Sequence, residues 1–386
     1  MGVLVNGKWQ RDDSGFALDP SKKAGTFSTP VEEIPLERGH RYVLYVCDGC
    51  PWAARPWMCA VATGLARDVV RIVRVFPGNS DDSWFFKPVS EDERFMVEQY
   101  GDQVTWDEEE PLGGFTHLHQ VYSMGDPKVT GRVSVPLLVD SKTRKVLFSE
   151  SSEMIGVFLG HFAPLHDAAH FPLANSFYPA PLREEIDRTV SEIARDVGSK
   201  VYGVHMAKTQ RVFETKSAEF FEALDRLEER LQKNSRGGGG GGWMLPGENP
   251  TVLDLVLFAT TVRFEVAYNQ RFRMTTATIR GGRFPTLWSH LCRVYRLPGI
   301  KSAVHFKGIL AMYYFSVPLR VKAGITVAPL PSDFERQLAL GWHQLALGGN
   351  NSEEGLSTKG LDLGLLAAAF MGGLAVGVAL SRTRKK

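Results

Sequence analysis

Cysteine is scarce in this chain of 386 residues: Cys47, Cys50, Cys59 and Cys292 are the four it has. So few thiols in so long a chain cannot form a disulfide scaffold, and a reducing compartment is the natural setting. Excess charge of either sign is also missing. Forty-five Lys and Arg stand against 43 Asp and Glu, a net charge of +2, which gives no bulk electrostatic basis for binding nucleic acid. The opening "MGVLVNGKWQRDD" has no apolar stretch of the kind that makes a secretory signal. No strand-to-helix junction carries a phosphate-loop or dinucleotide glycine pattern, and "GGGGGG" at 237–242 reads as a flexible low-complexity insertion. His161, His166 and His170 lie close together in sequence, but no cysteine or carboxylate at ligand spacing accompanies them, so no metal site is expected.

What is present is a globular composition, 44% apolar and 23% charged, long enough for two domains. Residues 1–35 are polar with scattered aromatics and read as an N-terminal arm. "YVLYV" (42–46) is an apolar run, "PWAARPWMCAVATGLA" has Pro51 at a helix start and Gly64 near its end, and "VVRIVRV" (69–75) is a β-branched run. A long acidic and aromatic insertion, 77–130, follows, and its run Asp107 to Glu110 reads as a solvated loop. "VSVPLLVD" and "KVLF" then form a hairpin joined by "SKTR", and "SESSEMIGVFLGHF" opens a helix with capping residues. Strand-helix-strand followed by hairpin-helix is the order of an α/β thioredoxin-like domain, here 36–165. The remainder, 166–330, is helical in period, with Phe220, Leu224, Leu227 and Leu231 on one stripe and Thr251 three residues before Asp254 as an N-cap arrangement. A linker, 331–360, leads to 361–381. There Leu363 to Leu380 runs 18 residues without a charge and is followed by Arg382, Arg384, Lys385 and Lys386. That stretch is read as a C-terminal transmembrane helix and tail anchor, with the bulk of the chain cytosolic. By analogy with other short, basic-tipped anchors, the expected membrane is the mitochondrial outer membrane or, alternatively, the peroxisomal one.

The chemistry is expected at "CDGCPWAARPW". A thiolate is the nucleophile in thiol chemistry, and the positive end of a helix lowers a thiol's pKa. Cys50 stands one residue before Pro51, so it is the candidate nucleophile, with Arg55 one turn on as a possible helper. Cys47 makes a C-x-x-C pattern with it, but a resolving cysteine belongs three residues after a nucleophile at a helix start, and that position holds Ala53. A monothiol mechanism, resolved by an external thiol, is the expectation. Cys59 and Cys292 read as small core residues.

The blocks "YVLYVCDGCPWAARP", "TGRVSVPLLVD", "SESSEMI", "KVYGV", "VRFEVAY", "FPTLWSHLCRVYRLPGIKSAV" and "MYYFSVP", in this order over roughly residues 40–330, resemble the glutathionyl-hydroquinone reductases, the Xi-class glutathione transferases. The resemblance implies a thioredoxin-like domain followed by an all-α glutathione-transferase domain, with glutathione or a related low-molecular-weight thiol as co-substrate. It implies a reductive reaction: a cysteine attacks the sulfur of a glutathionyl-hydroquinone, the hydroquinone leaves, and a second glutathione clears the mixed disulfide. Cys50 would be the nucleophile. Val135 and Pro136 match the Val-cis-Pro pair that binds the cysteinyl unit of glutathione, and Glu150 and Ser151 match the pair at its γ-glutamyl end. Trp84 and Arg132 fall beside the glutathione site, and Tyr202, Tyr268, and Tyr313 or Tyr314 fall in blocks lining the quinone side. The partners implied are a small thiol, a quinone-type substrate and, in the family's manner, a second copy in a homodimer. Ala54 stands where the family has histidine, and Met312 and the residues after it depart from the family's quinone-side block. Two function classes follow: a membrane-tethered thiol reductase, or a non-catalytic relative that serves as an outer-membrane binding or assembly component, as in metaxin-like proteins.

Overall fold

The computed structural model describes residues 3–10, 27–77, 83–88, 91, 94, 110–236, 241–274, 277–314 and 334–340. The chain divides into two compact units, 1–344 and 345–386, and every described residue belongs to the first. The apolar stretch 361–381 lies outside the described residues; among those described, no helix is long and apolar enough to cross a membrane.

The thioredoxin-like domain is built on a four-stranded sheet in the order β4-β3-β6-β7, from β3 (Tyr42–Val46), β4 (Val70–Arg74), β6 (Leu137–Asp140) and β7 (Lys145–Phe148). β3 runs parallel to β4 and antiparallel to β6, which pairs antiparallel with β7. All five residues of β3 are buried, as a strand covered on both faces requires, and this is why "YVLYV" is continuously apolar rather than alternating. Helix α1 (Pro51–Ala62) crosses between β3 and β4, with Pro at its first position and Gly64 beyond its end at φ 78°. After β7 comes the short helix α3 (Ser151–Gly156), continued by a wider π turn over Val157–His161.

Residues 3–10 are more than a polar arm. Strands β1 (Val3–Val5) and β2 (Lys8–Gln10) form a hairpin, and β1 also pairs with β5 (Gly131–Arg132) in a three-stranded sheet. The two-residue turn Asn6-Gly7 has φ 48° and 71°. Both central residues at positive φ suit a hairpin turn, and Asn-Gly is the pair that tolerates it. The insertion is likewise structured where it is described. Phe85 bridges to Phe76 and His117, and helix α2 (Leu118–Gly125) follows. Glu110 is not solvated. It is buried, accepts the Tyr45 hydroxyl and the Leu112 and Phe115 amides, and so closes its loop.

The helical domain surrounds α7 (Val252–Arg263), whose twelve residues are all buried. Its start is the Thr251–Asp254 capping box, and Asp254 also accepts the Met244 amide at 2.8 Å. Helices α4 (Arg183–Ile193), α5 (Lys200–His205), α6 (Gln210–Arg236), α8 (Pro285–Tyr295) and α9 (Phe306–Tyr314) complete the layer. On α6 the expected stripe holds: Phe220, Leu224 and Leu231 are buried and Leu227 packs half-buried against them. Residues 334–340, read from sequence as linker, are helix α10 (Phe334–Leu340), with Phe334 packed against Trp288 and Phe306. Of the three neighbouring histidines, His161 and His166 hydrogen-bond the Ile34 and Phe158 carbonyls, and the exposed His170 pairs with Asp167.

Candidate active site

Cys50 is the N-cap of α1, in extended conformation with its amide on the Cys47 carbonyl at 3.0 Å. Its Sγ lies 3.6 Å from the carbonyl of Val135, and the Val135–Pro136 peptide is cis. The sequence thus brings the thiol and the cis-proline loop together from two ends of the domain. The Trp84 ring N–H donates to the Val133 carbonyl at 3.1 Å, Arg132 lies in β5 just before, and Glu150 caps α3 with Ser151 buried as its first residue.

The helix terminus does not by itself make Cys50 acidic. At 7% exposed, the thiol is desolvated, and burial raises its pKa more than its surroundings lower it. The surroundings that act the other way are the Ala53 and Trp52 amides and the guanidiniums of Arg263 and Arg55. The expectation of a lowered thiol pKa is corrected in this respect: the helix start is roofed by the helical domain, so water is lost along with the gain from the helix end. Cys47 points elsewhere. It is buried, its Sγ lies 3.8 Å from the Met312 sulfur, and burial pushes its thiol strongly up.

Three tyrosines from three separate elements meet opposite Cys50. Tyr202 comes from α5, Tyr313 from α9, and Tyr268 from a π turn, Phe264–Tyr268, that prolongs α7. Their hydroxyls lie 2.7 Å (Tyr202–Tyr313), 2.9 Å (Tyr268–Tyr313) and 3.2 Å (Tyr202–Tyr268) apart. Tyr313 donates to the Gly49 carbonyl at 3.0 Å, one residue before the nucleophile. These three hydroxyls have three protons and four such contacts, so one contact holds none. With Tyr313 donating to Gly49, Tyr202 and Tyr268 keep two protons for the three contacts among the hydroxyls. Burial holds all three phenols in the protonated form, Tyr268 at about 12 and the others well above their ordinary value. Tyr314 is not in this ring; its hydroxyl lies 3.5 Å from Gln270 on the outer side.

Two residues of the site carry more than the sequence reading assigned them. Arg263, the last residue of α7, is buried and spans the domains: its guanidinium donates to the carbonyls of Gly49 (3.0 Å), Asp48 (2.6 Å) and Ala259 (2.7 Å). Asp48 in turn is bound by Arg74 through two contacts of 2.9 and 2.5 Å. The loop before the nucleophile is thereby held from both domains. Arg263 lies inside the quoted block "VRFEVAY", but nothing in a sequence says that an arginine on an apolar helix faces carbonyls of another domain. Arg55, a helper to the nucleophile on sequence grounds, is among the largest fully buried side chains. As a whole, the arrangement offers a buried sulfur nucleophile, a backbone carbonyl beside it next to a cis proline, and three buried phenols hydrogen-bonded to one another.

Residues 210–291 match the family model described as "Glutathione S-transferase, C-terminal domain". The chain is 30% identical over 343 residues to the glutathionyl-hydroquinone reductase PcpF of Sphingobium chlorophenolicum, covering 86% of this chain and 98% of the relative. Among solved structures, it is similar to a Xi-class transferase from Natrialba magadii, with TM-score 0.70, 28% identity, and 86% and 94% of the two chains covered. It is also similar to the glutathione-bound structure of YqjG, a glutathione transferase homologue from Escherichia coli K-12, with TM-score 0.67, 27% identity, and 86% and 96% covered.

Proposed function

Because the chain belongs to the glutathionyl-hydroquinone reductase family, the Xi-class glutathione transferases, we propose that it removes glutathione from glutathionyl-hydroquinones or similar thiol adducts by attack of Cys50. It is an enzyme of this cysteine type, with glutathione as co-substrate. The observation that carries the reading is the meeting of Cys50 Sγ, the Val135 carbonyl beside a cis proline, and the tyrosine ring anchored on Gly49. In the reaction, the Cys50 thiolate attacks the glutathione sulfur and forms a mixed disulfide, and the hydroquinone leaves. A second glutathione then attacks the mixed disulfide, giving glutathione disulfide and free Cys50. Trp84, Arg132, Val135, Glu150 and Ser151 would hold the glutathione moiety, and Tyr202, Tyr268 and Tyr313 would face the quinol. An intact-mass measurement on the wild-type protein, quenched within seconds of adding glutathionyl-menadione, tests this. A glutathione-sized adduct, with quinol released and the adduct removed by fresh glutathione, is the expected result; a folded protein that gives neither adduct nor quinol would sink the reading.

The same reading extends to the apolar stretch at 361–381. A tether there would keep the enzyme at a mitochondrial outer or peroxisomal membrane, where apolar quinones partition. In eukaryotic cells the full chain should stay in the membrane pellet after alkaline carbonate extraction, and a chain ending at residue 355 should move to the supernatant. Release of the full chain into the supernatant would remove the tether from the proposal.

A further inference from the structure

Two buried guanidiniums influence Cys50, and they differ in one respect. Arg263 has its donors on three carbonyls. Arg55, 2% exposed, has Nε and Nη2 buried and without a hydrogen-bond partner among the described residues. No ion pair with a carboxylate relieves it among those residues either. Its guanidinium carbon lies 4.1 Å from the centre of the Trp52 ring, one helical turn away. Gly198, in a π turn of the helical domain, closes over the pair: a Cβ there would come within 3.2 Å of both Arg55 Nη2 and the Trp52 ring. Among the described residues, the groups in electrostatic reach of Arg55 are Cys50, Tyr202 and Tyr268. A desolvated cation with open N–H groups is unfavourable unless an acceptor joins it. Among the described residues no hydrogen-bond acceptor meets it, and the nearby groups are the proposed nucleophile and two of the phenols that would face the quinol.

We propose that Arg55 is a further catalytic residue, whose open N–H groups receive the phenolate oxygen that forms on the hydroquinone as it leaves. This rests on the deglutathionylation reading above. The charge follows from the bond changes. When the ring is in its keto tautomer, with a proton on the carbon that bears sulfur, Cys50 attack makes the sulfur–sulfur bond and breaks the carbon–sulfur bond. The released electron pair passes into the ring and onto the ketone oxygen. The two sulfurs are oxidised to a disulfide, the ring carbon is reduced, and a phenolate results, which a tyrosine proton converts to hydroquinone. A fixed guanidinium in a water-poor site acts on charge that exists only as the bond breaks. A leaving thiolate, by contrast, places its charge on sulfur and makes no phenolate.

The test compares Arg55→Met and Arg55→Lys with wild type on two substrates: a glutathionyl-hydroquinone, with and without ring chlorine, and the mixed disulfide of glutathione and 2-mercaptoethanol. Arg55→Met is expected to lose roughly 10²-fold on the glutathionyl-hydroquinone, at least about tenfold more than it loses on the disulfide. Chlorine, which stabilises the phenolate, should narrow that gap, and Arg55→Lys should recover part of the rate. Equal losses on both substrates, with the pH profile of Cys50 alkylation shifted upward, would assign Arg55 to the thiolate instead and overturn the proposal; no loss on either would also overturn it. If Arg55→Met does not fold, the ratio for Arg55→Lys decides in the same way. Wild type that exchanges the disulfide but releases no hydroquinone would overturn the reductase reading itself, and the Arg55 assignment with it.

Discussion

Cys50→Ser is expected to lower quinol release at least about 10³-fold and to abolish the glutathione adduct, while Cys47→Ser keeps the rate within about threefold. The two cysteines are three residues apart, and the sequence already sets Cys50, at the helix start, as the nucleophile. Their surroundings differ in the same sense. Cys50 caps α1 with its sulfur against the Val135 carbonyl, on the edge where an extended thiol peptide can pair with backbone. Cys47 ends the strand side of the same turn with its sulfur against Met312, covered by α9. A sulfur that takes part in exchange needs room for a partner sulfur, and the Cys47 sulfur has the Met312 sulfur 3.8 Å away. Serine at position 50 keeps the shape but replaces the thiol with a hydroxyl that is a weak nucleophile and forms no disulfide. Steady-state quinol release and intact mass of the three proteins check this. An adduct that persists in Cys50→Ser and vanishes in Cys47→Ser would reverse the assignment. An intramolecular disulfide in wild type during turnover would replace the monothiol scheme with a dithiol one.

The legible part of this molecule is the part governed by local rules. The β3-α1-β4 unit, the β6-β7 hairpin and the Thr251 cap are each set by a period of two or 3.6 and by residues with a known preference for element ends. The cis proline and the glutathione-side residues came from the resemblance rather than from spacing. The less legible parts depend on contacts between distant segments. Asn6-Gly7 is a hairpin signal, but its strands are three residues each, and what stabilises them is β5 at the far end of the insertion. Glu110 ends an acidic run and looked solvated, yet Tyr45 and two amides offer it partners in the core. The π turns at Ala194–Ser199 and Phe264–Tyr268 break the helical period; the second carries Tyr268 into the site, and the first sets Gly198 close against Arg55 and Trp52. That is also why Tyr313 and Tyr314 could not be told apart: neighbouring residues on a helix point about 100° from each other, and which one faces inward is decided by the α7 extension.

Arg263→Met carries the second large effect, because one side chain holds both the fold and the nucleophile. The guanidinium makes three hydrogen bonds to carbonyls, two of them across the boundary between the domains. Hydrogen bonds to a charged group contribute about 1.5–3 kcal/mol each, but removing the buried charge also removes its desolvation penalty. The Gly49 carbonyl retains Tyr313, whereas the Asp48 carbonyl loses the donor it had from Arg263. The net loss is expected to be about 3 kcal/mol, seen as a fall of roughly 5–10 °C in melting temperature. Reactivity should fall further than stability alone explains. Burial already holds the Cys50 thiol above its ordinary pKa, and the Arg263 charge is one of the groups that opposes this. Without it the thiol pKa rises again, so the thiolate fraction at neutral pH falls, and the pH profile of iodoacetamide alkylation moves to higher pH. Arg263→Lys separates the two roles. A lysine restores the charge and with it much of the alkylation profile, but one ammonium cannot reproduce the forked contact to Asp48 and Gly49. Its melting temperature should stay near that of Arg263→Met. A profile unmoved in both variants would confine Arg263 to packing. A profile moved equally in both would mean that it is the held position of the loop, and not the charge, that sets the reactivity of Cys50.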